Sequence, residues 1–141
     1  MDAFDADVLI YAAVPNHELG RRVLALFPVE EVESTGAVAG VGSALLIPEL
    51  LTKPLRDDAH DESSALGALI GRLELRPVDA ATADLATALG AKYGLRAIDA
   101  VHLATAVGAG ASRFITNNSS DFTPSITEID ITYPSDLPDP A

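Results

Sequence analysis

Most of the 21 acidic residues lie in charged runs such as "VEEVE" and "RDDAHDE", where water solvates them. A few stand among apolar neighbours. Asp5 and Asp7 precede the apolar run from Val8 to Val14, Glu49 sits in "LLIPELL", Asp99 in "RAIDAVHLA", and Asp121 in "NNSSDF". A carboxylate beside a buried segment is costly unless something compensates it. Each has a local explanation when taken alone. Asp7 can cap a helix entered at Val8, and Glu49 can face water from an amphipathic helix. Asp99 can complement a helix dipole or pair with Arg96, and Asp121 can cap a turn. Taken together, four carboxylates that converge would repel one another unless a cation joined them. Oxygen donors alone suit hard Mg²⁺ or Mn²⁺. Such ions neutralise phosphate charge and activate water, so the chemistry implied is phosphodiester or phosphoryl transfer.

Positioning these acids falls to elements legible from periodicity. Residues 3–11 read as a strand leading into an apolar segment that could equally begin a helix. "NHELGRRVLALF" places Leu19, Val23, Leu26 and Phe27 at helical spacing behind Asn16 as N-cap. "PVEEVESTG" reads as an acidic loop, and "AVAGVGSALLIPELLTKPLR" as a glycine-rich strand or turn followed by a helix around Glu49. "RDDAHDESSALGALIGRL" gives an acidic turn and a helix, and "LELRPVD" a strand ending at Pro77. "DAATADLATALGAKYG" is a helix capped by Asp79 and closed by Gly94. "RAIDAVHLATAVGAG" is a second helix ending in glycine, "SRFITNN" a strand, "SSDFTP" a turn and "EIDITY" a short last strand. Residues 134–141, "PSDLPDPA", read as a frayed tail.

This alternation predicts an α/β fold with a parallel sheet covered on both faces. Ligands of such sheets bind beyond the carboxyl ends of the strands, where Asp5 and Asp121 are expected.

A chain of 141 residues, 48% hydrophobic, suits one domain with a real core over 1–141. No cysteine is present, which excludes disulfides and thiolate zinc sites. The start carries no basic leader and the longest uncharged stretch, Ser34–Pro48, is too short to span a bilayer. A cytoplasmic home without membrane attachment is the expectation. Nine basic against 21 acidic residues leave a net charge of −12. Such a surface repels nucleic acid without cations, and fits a site where a metal supplies the positive charge.

Four segments resemble those of PIN-domain nucleases, in that family's order. "FDADVLIYAA" is similar to their opening, typically Asp-Thr/Ser-Asn before an apolar helix. "LLIPELL" resembles their internal glutamate, "LRAIDAVHLATA" their helix-borne aspartate, and "FITNNSSDF" their closing motif. The overall style is closest to VapC-type toxins of bacterial toxin–antitoxin pairs. The resemblance implies a three-layer α/β/α fold with a mainly parallel central sheet. It also implies a Mg²⁺- or Mn²⁺-dependent ribonuclease, with RNA as substrate, a small antitoxin as partner, and a homodimer. Carried over by residue, it makes Asp5, Glu49, Asp99 and Asp121 the metal-holding and catalytic acids, with Thr116, Asn118 and Asp7 in support. Two positions depart from the family pattern. Position 7 is Asp where relatives often carry Asn. Many members have Asp two residues after the closing threonine, where this chain has Asn118, so either Asn118 or Asp121 faces the metal.

Arg96 can reach a substrate phosphate or pair with Asp99. His102, three residues after Asp99, is expected to pack or to support the site rather than act as a base. His17 and His60 are expected to be exposed. Arg72 and Arg76 are expected to be a solvated basic spot or an RNA contact, and Tyr93 and Phe122 to be core. Two other classes compete. Asp-x-Asp after a strand also opens phosphatases of the haloacid-dehalogenase type, although Val8 stands where those need a small turn residue. A non-catalytic PIN-like binding module is the other alternative, supported by Asn118.

Overall fold

The structure, a computed structural model, describes residues 1–28 and 38–140. Apart from Pro28, the acidic loop expected at residues 28–36 lies outside the described residues. Five short strands make the sheet: β1 (Asp2–Phe4), β2 (Gly40–Ser43), β3 (Leu73–Arg76), β4 (Arg113–Ile115) and β5 (Asp130–Thr132). All pairings are parallel and the order is β3-β2-β1-β4-β5, so the first strand of the sequence is the central one. Helices α1 (Ala6–Ala13), α2 (Glu18–Leu24), α3 (Leu46–Arg56), α4 (His60–Ile70), α5 (Ala80–Tyr93) and α6 (Ala97–Gly108) connect the strands.

Strand alternation sorts side chains between two cores. Phe4 and Ile115, paired in register, face the side covered by α1–α4, with Val8, Leu9, Val23, Leu46, Leu50 and Leu66. Ala3, Val41 and Phe114 face the other side, with Leu89 of α5, Leu103 of α6, and Phe122. Phe4, Phe114 and Phe122 are essentially fully buried, each worth about 2 kcal/mol of burial. The layers are therefore α/β/α.

Local signals account for several boundaries. Asp79 Oδ1 accepts the Thr82 N–H at 2.9 Å, and Gly94 closes α5 in the left-handed conformation at φ +68°. Pro48 lies in the first turn of α3, where its missing N–H has no helical acceptor to lose.

Val8–Ile10 take the helical alternative and belong to α1, while the first strand stops at Phe4. Other expectations are corrected. The cap of α2 is His17, whose Nδ1 accepts the Gly20 N–H at 3.0 Å. Asn16 instead takes a left-handed turn at φ +63°, which asparagine tolerates. The tail is also ordered at its start. Pro134–Asp136 form a 3₁₀ turn, Leu137 is buried, and Arg22 donates to the Leu137 carbonyl at 2.8 Å. The apolar side chain and the guanidinium clamp outweigh the expected fraying. Tyr93 is half-buried, its hydroxyl bonded to Glu128, whereas Phe122 is core as expected.

Candidate metal centre

Asp5 directly follows β1 and caps α1: Oδ1 accepts the Ala6 N–H at 2.8 Å. Oδ2 accepts the hydroxyl of Thr116, also at 2.8 Å. Thr116 follows β4 and is fully buried, and its Oγ1 in turn accepts the Asn118 N–H at 3.1 Å. Two adjacent parallel strands thus end in one hydrogen-bonded unit, at the edge where α/β sites belong. Asp7, in the first turn of α1, accepts the Asn117 N–H at 3.0 Å, while its Oδ1 is buried with no donor. Asn117 Nδ2 reaches the Tyr11 hydroxyl at 3.3 Å.

The other acids arrive on separate helices. Glu49 stands in the first turn of α3 and Asp99 in the first turn of α6. His102, 2% exposed, places Nε2 3.0 Å from Glu49 Oε1. Ligand atoms of Asp5, Glu49 and His102 all lie within 4.8 Å of one another, the one such group among the described residues. Asp99 and Asp121 stand outside that trio. Asp99 Oδ2 is shut from solvent without a hydrogen bond, and Arg96 Nε lies 3.7 Å away, an ion pair too long for one. Asp121 Oδ2 accepts Asn118 Nδ2 at 2.9 Å, and Asn118 Oδ1 accepts from Ser120 Oγ at 2.9 Å and from the Asp121 N–H at 3.3 Å. The Asn118 amide is therefore engaged within its own loop.

The electrostatics match this crowding. Burial chiefly holds Asp5 above the ordinary carboxylate range, against the pull of Thr116 and His102. Burial and then the neighbouring Asp5 charge push Asp7 up to about 7. Burial also raises Asp99, opposed by Arg96 and reinforced by Asp121 and Glu49. Burial disfavours a charged His102, but the Glu49 hydrogen bond and the charges of Asp5, Glu49 and Asp99 outweigh it and raise its pKa. Packed acids with two buried oxygens lacking donors, Asp7 Oδ1 and Asp99 Oδ2, fit a hard divalent cation far better than an empty carboxylate nest.

Among the remaining candidates, the Arg96 side chain is 86% exposed and its one ion pair among the described residues is the 3.7 Å contact with Asp99. Arg72 is tied to the carbonyls of Phe27 and Pro28, and Arg76 to Glu74, so their guanidinium groups are occupied. His60 is exposed, and His17 is half-buried as the α2 cap. Sequence reasoning missed Asn117 and Tyr11 and gave His102 no partner. The one available signal was that His102 shares a helix face with Asp99.

Similar folds are known. The chain resembles a toxin–antitoxin complex from Klebsiella pneumoniae at 22% identity and a TM-score of 0.73, over 95% of this chain and 98% of that one. It resembles VapBC2 from Rickettsia felis bound to a promoter DNA fragment at 15% identity and a TM-score of 0.69, over 94% and 97%. FitAcB from Neisseria gonorrhoeae shares 20% identity and a TM-score of 0.66, over 97% and 100%. No curated protein matches the chain by sequence. At these identities the structures establish the fold alone. The sequence family described as the PIN domain matches residues 3–123, a span that runs from β1 through Asp121 and takes in every acid of the cluster. By that match over most of its length, the chain belongs to the PIN-domain family.

Proposed function

We propose that the chain is a metal-dependent nuclease that hydrolyses RNA phosphodiester bonds and serves as the toxin of a type II toxin–antitoxin pair. The observation that carries this reading is the grouping of ligand atoms of Asp5, Glu49 and His102 within 4.8 Å, beside the buried Thr116 clamp and within reach of the Asp99 charge. Asp5, Glu49, Asp99 and Asp121 would hold Mg²⁺ or Mn²⁺. A divalent ion there supplies neutralisation of phosphate charge and acidification of water.

The chain's own residues do the positioning. Thr116 fixes Asp5, and Asn118 fixes Asp121 and takes the supporting role. Asp7 ties α1 to the loop after β4 through the Asn117 N–H. Arg96, exposed at the mouth of the cluster, offers its guanidinium to a substrate phosphate. The toxin assignment draws support from the motif forms and from neighbours described as toxin–antitoxin complexes. Pairing of two copies and a cytoplasmic location belong to the same proposal, and no helix among the described residues is long and apolar enough to cross a membrane. Membership of the PIN-domain family sets the phosphatase alternative aside.

The test is cleavage of single-stranded RNA by purified protein with Mg²⁺ or Mn²⁺. Asp5→Asn and Asp99→Asn should each lower the rate about 100-fold or more, and chelation should abolish it. Full activity in both variants would overturn the reading. Absent Mn²⁺ binding, with no stability change in Asp99→Asn, would identify a non-catalytic module instead.

A further inference from the structure

We infer that His102 is a positioning residue for Glu49: its Nε2–H holds the Glu49 carboxylate toward Asp5, which sets the geometry of the metal centre. This rests on the metal-binding reading above. Three of the other clustered acids have a hydrogen-bond restraint of their own, and Asp99 has only the 3.7 Å ion pair with Arg96. Asp5 is held by Ala6 and Thr116, Asp7 by Asn117, and Asp121 by Asn118. Glu49 has three rotatable side-chain bonds and sits at the exposed start of α3. Free, it would sample many rotamers, and fixing one of them costs side-chain entropy. Among the described residues its carboxylate makes one hydrogen bond, to His102 Nε2 at 3.0 Å.

The imidazole is suited to that task. Ring burial leaves His102 2% exposed, so its own position is set by packing on α6. Nδ1 is buried without a partner. A proton on Nδ1 would be an unmet donor and would set two acceptors, Nε2 and the carboxylate, against each other. In the neutral ring the proton therefore sits on Nε2, the imidazolium carries one there as well, and in both forms Nε2–H points at Glu49. Partners that orient ligating carboxylates in this way typically change metal affinity 10–100-fold when removed.

The experiment is Mn²⁺ titration calorimetry on the full chain, with thermal melting to confirm folding. His102→Gln retains a donor near the Nε2 position and should keep affinity within about threefold. His102→Asn, with its amide short of Glu49, should weaken Mn²⁺ by about 10-fold or more. In a Glu49→Gln background His102→Asn should cost little more, since the pair acts through one carboxylate. Equal losses in the Gln and Asn variants, or additive losses in the double variant, would overturn the proposal. So would Mn²⁺ spin-echo spectra showing a directly bound histidine nitrogen, which would make His102 a ligand. Imidazole ¹⁵N shifts of the metal-free protein supply an arm independent of metal. A protonated Nε2 is expected, in the Nε2–H tautomer or the imidazolium, and a neutral Nδ1–H tautomer with bare Nε2 overturns the proposal even if the nuclease reading stands. Wild-type protein that shows a protonated Nε2 yet binds no Mn²⁺ would sink the metal reading, and with it the role of this bond at a metal.

Discussion

Asp7 has one oxygen bonded to the Asn117 N–H and the other buried with no donor, next to the Asp5 carboxylate. Its ionised form is therefore penalised twice, by lost solvation and by repulsion. An asparagine there would keep the acceptor for Asn117 and remove the charge. With metal chelated and the pH neutral, Asp7→Asn should raise the melting temperature by about 5 °C, corresponding to roughly 1–2 kcal/mol. Differential scanning calorimetry decides this, and an unchanged or lower melting temperature would contradict the account. The strain at position 7 was half legible. An aspartate in place of the common amide was visible in the sequence. Its tether was not, because Asn117 lies 110 residues away. Glu49 and His102, 53 residues apart, were hidden for the same reason.

Elements were most legible where a local group decides them. Asp79 and Gly94 bound α5 through caps that depend only on their neighbours. The entry to α2 was misread because His17 and Asn16 can both cap, and the choice is made by packing. The His17 ring stacks on Tyr11 with centroids 4.6 Å apart. That contact accompanies a close crossing of α1 and α2, where a Cβ added at Gly20 would come 2.0 Å from the Tyr11 carbonyl oxygen. Backbone cannot retreat as a flexible side chain can, so Gly20→Ala should destabilise by about 3 kcal/mol or more. Gly67 offers the opposite case. It lies inside α4 with nothing within 4 Å of an added Cβ, and Gly67→Ala should stabilise by about 0.5–1 kcal/mol through helix propensity. Urea unfolding of both variants checks the pair, and the two signs must differ.

At the scale of the whole molecule, a net charge of −12 sets the terms of any encounter with RNA. Proteins that bind through a basic face lose affinity steeply as salt rises. On the proposed function, long-range repulsion is screened by added salt, while attraction would come from a bound metal ion and from exposed cations such as Arg96. At saturating Mg²⁺, KM for RNA should stay flat or fall as KCl rises from roughly 20 to 150 mM. A steep rise in KM over that range would refute the electrostatic account. The parallel sheet and its two covered faces were legible from alternating elements, whereas the strand order was not, because nothing local pairs residue 2 with residue 113. That order has a consequence for synthesis. Of the five strands the central one is made first, yet Asp5 beside it waits for Thr116, and the ladder beyond Thr116 closes only on Thr132. A chain that stops before β4 lacks the hydroxyl that holds Asp5, and one that stops before β5 lacks the carbonyl that holds the Thr116 backbone, so the clamp at Asp5 is completed only after the last strand is made.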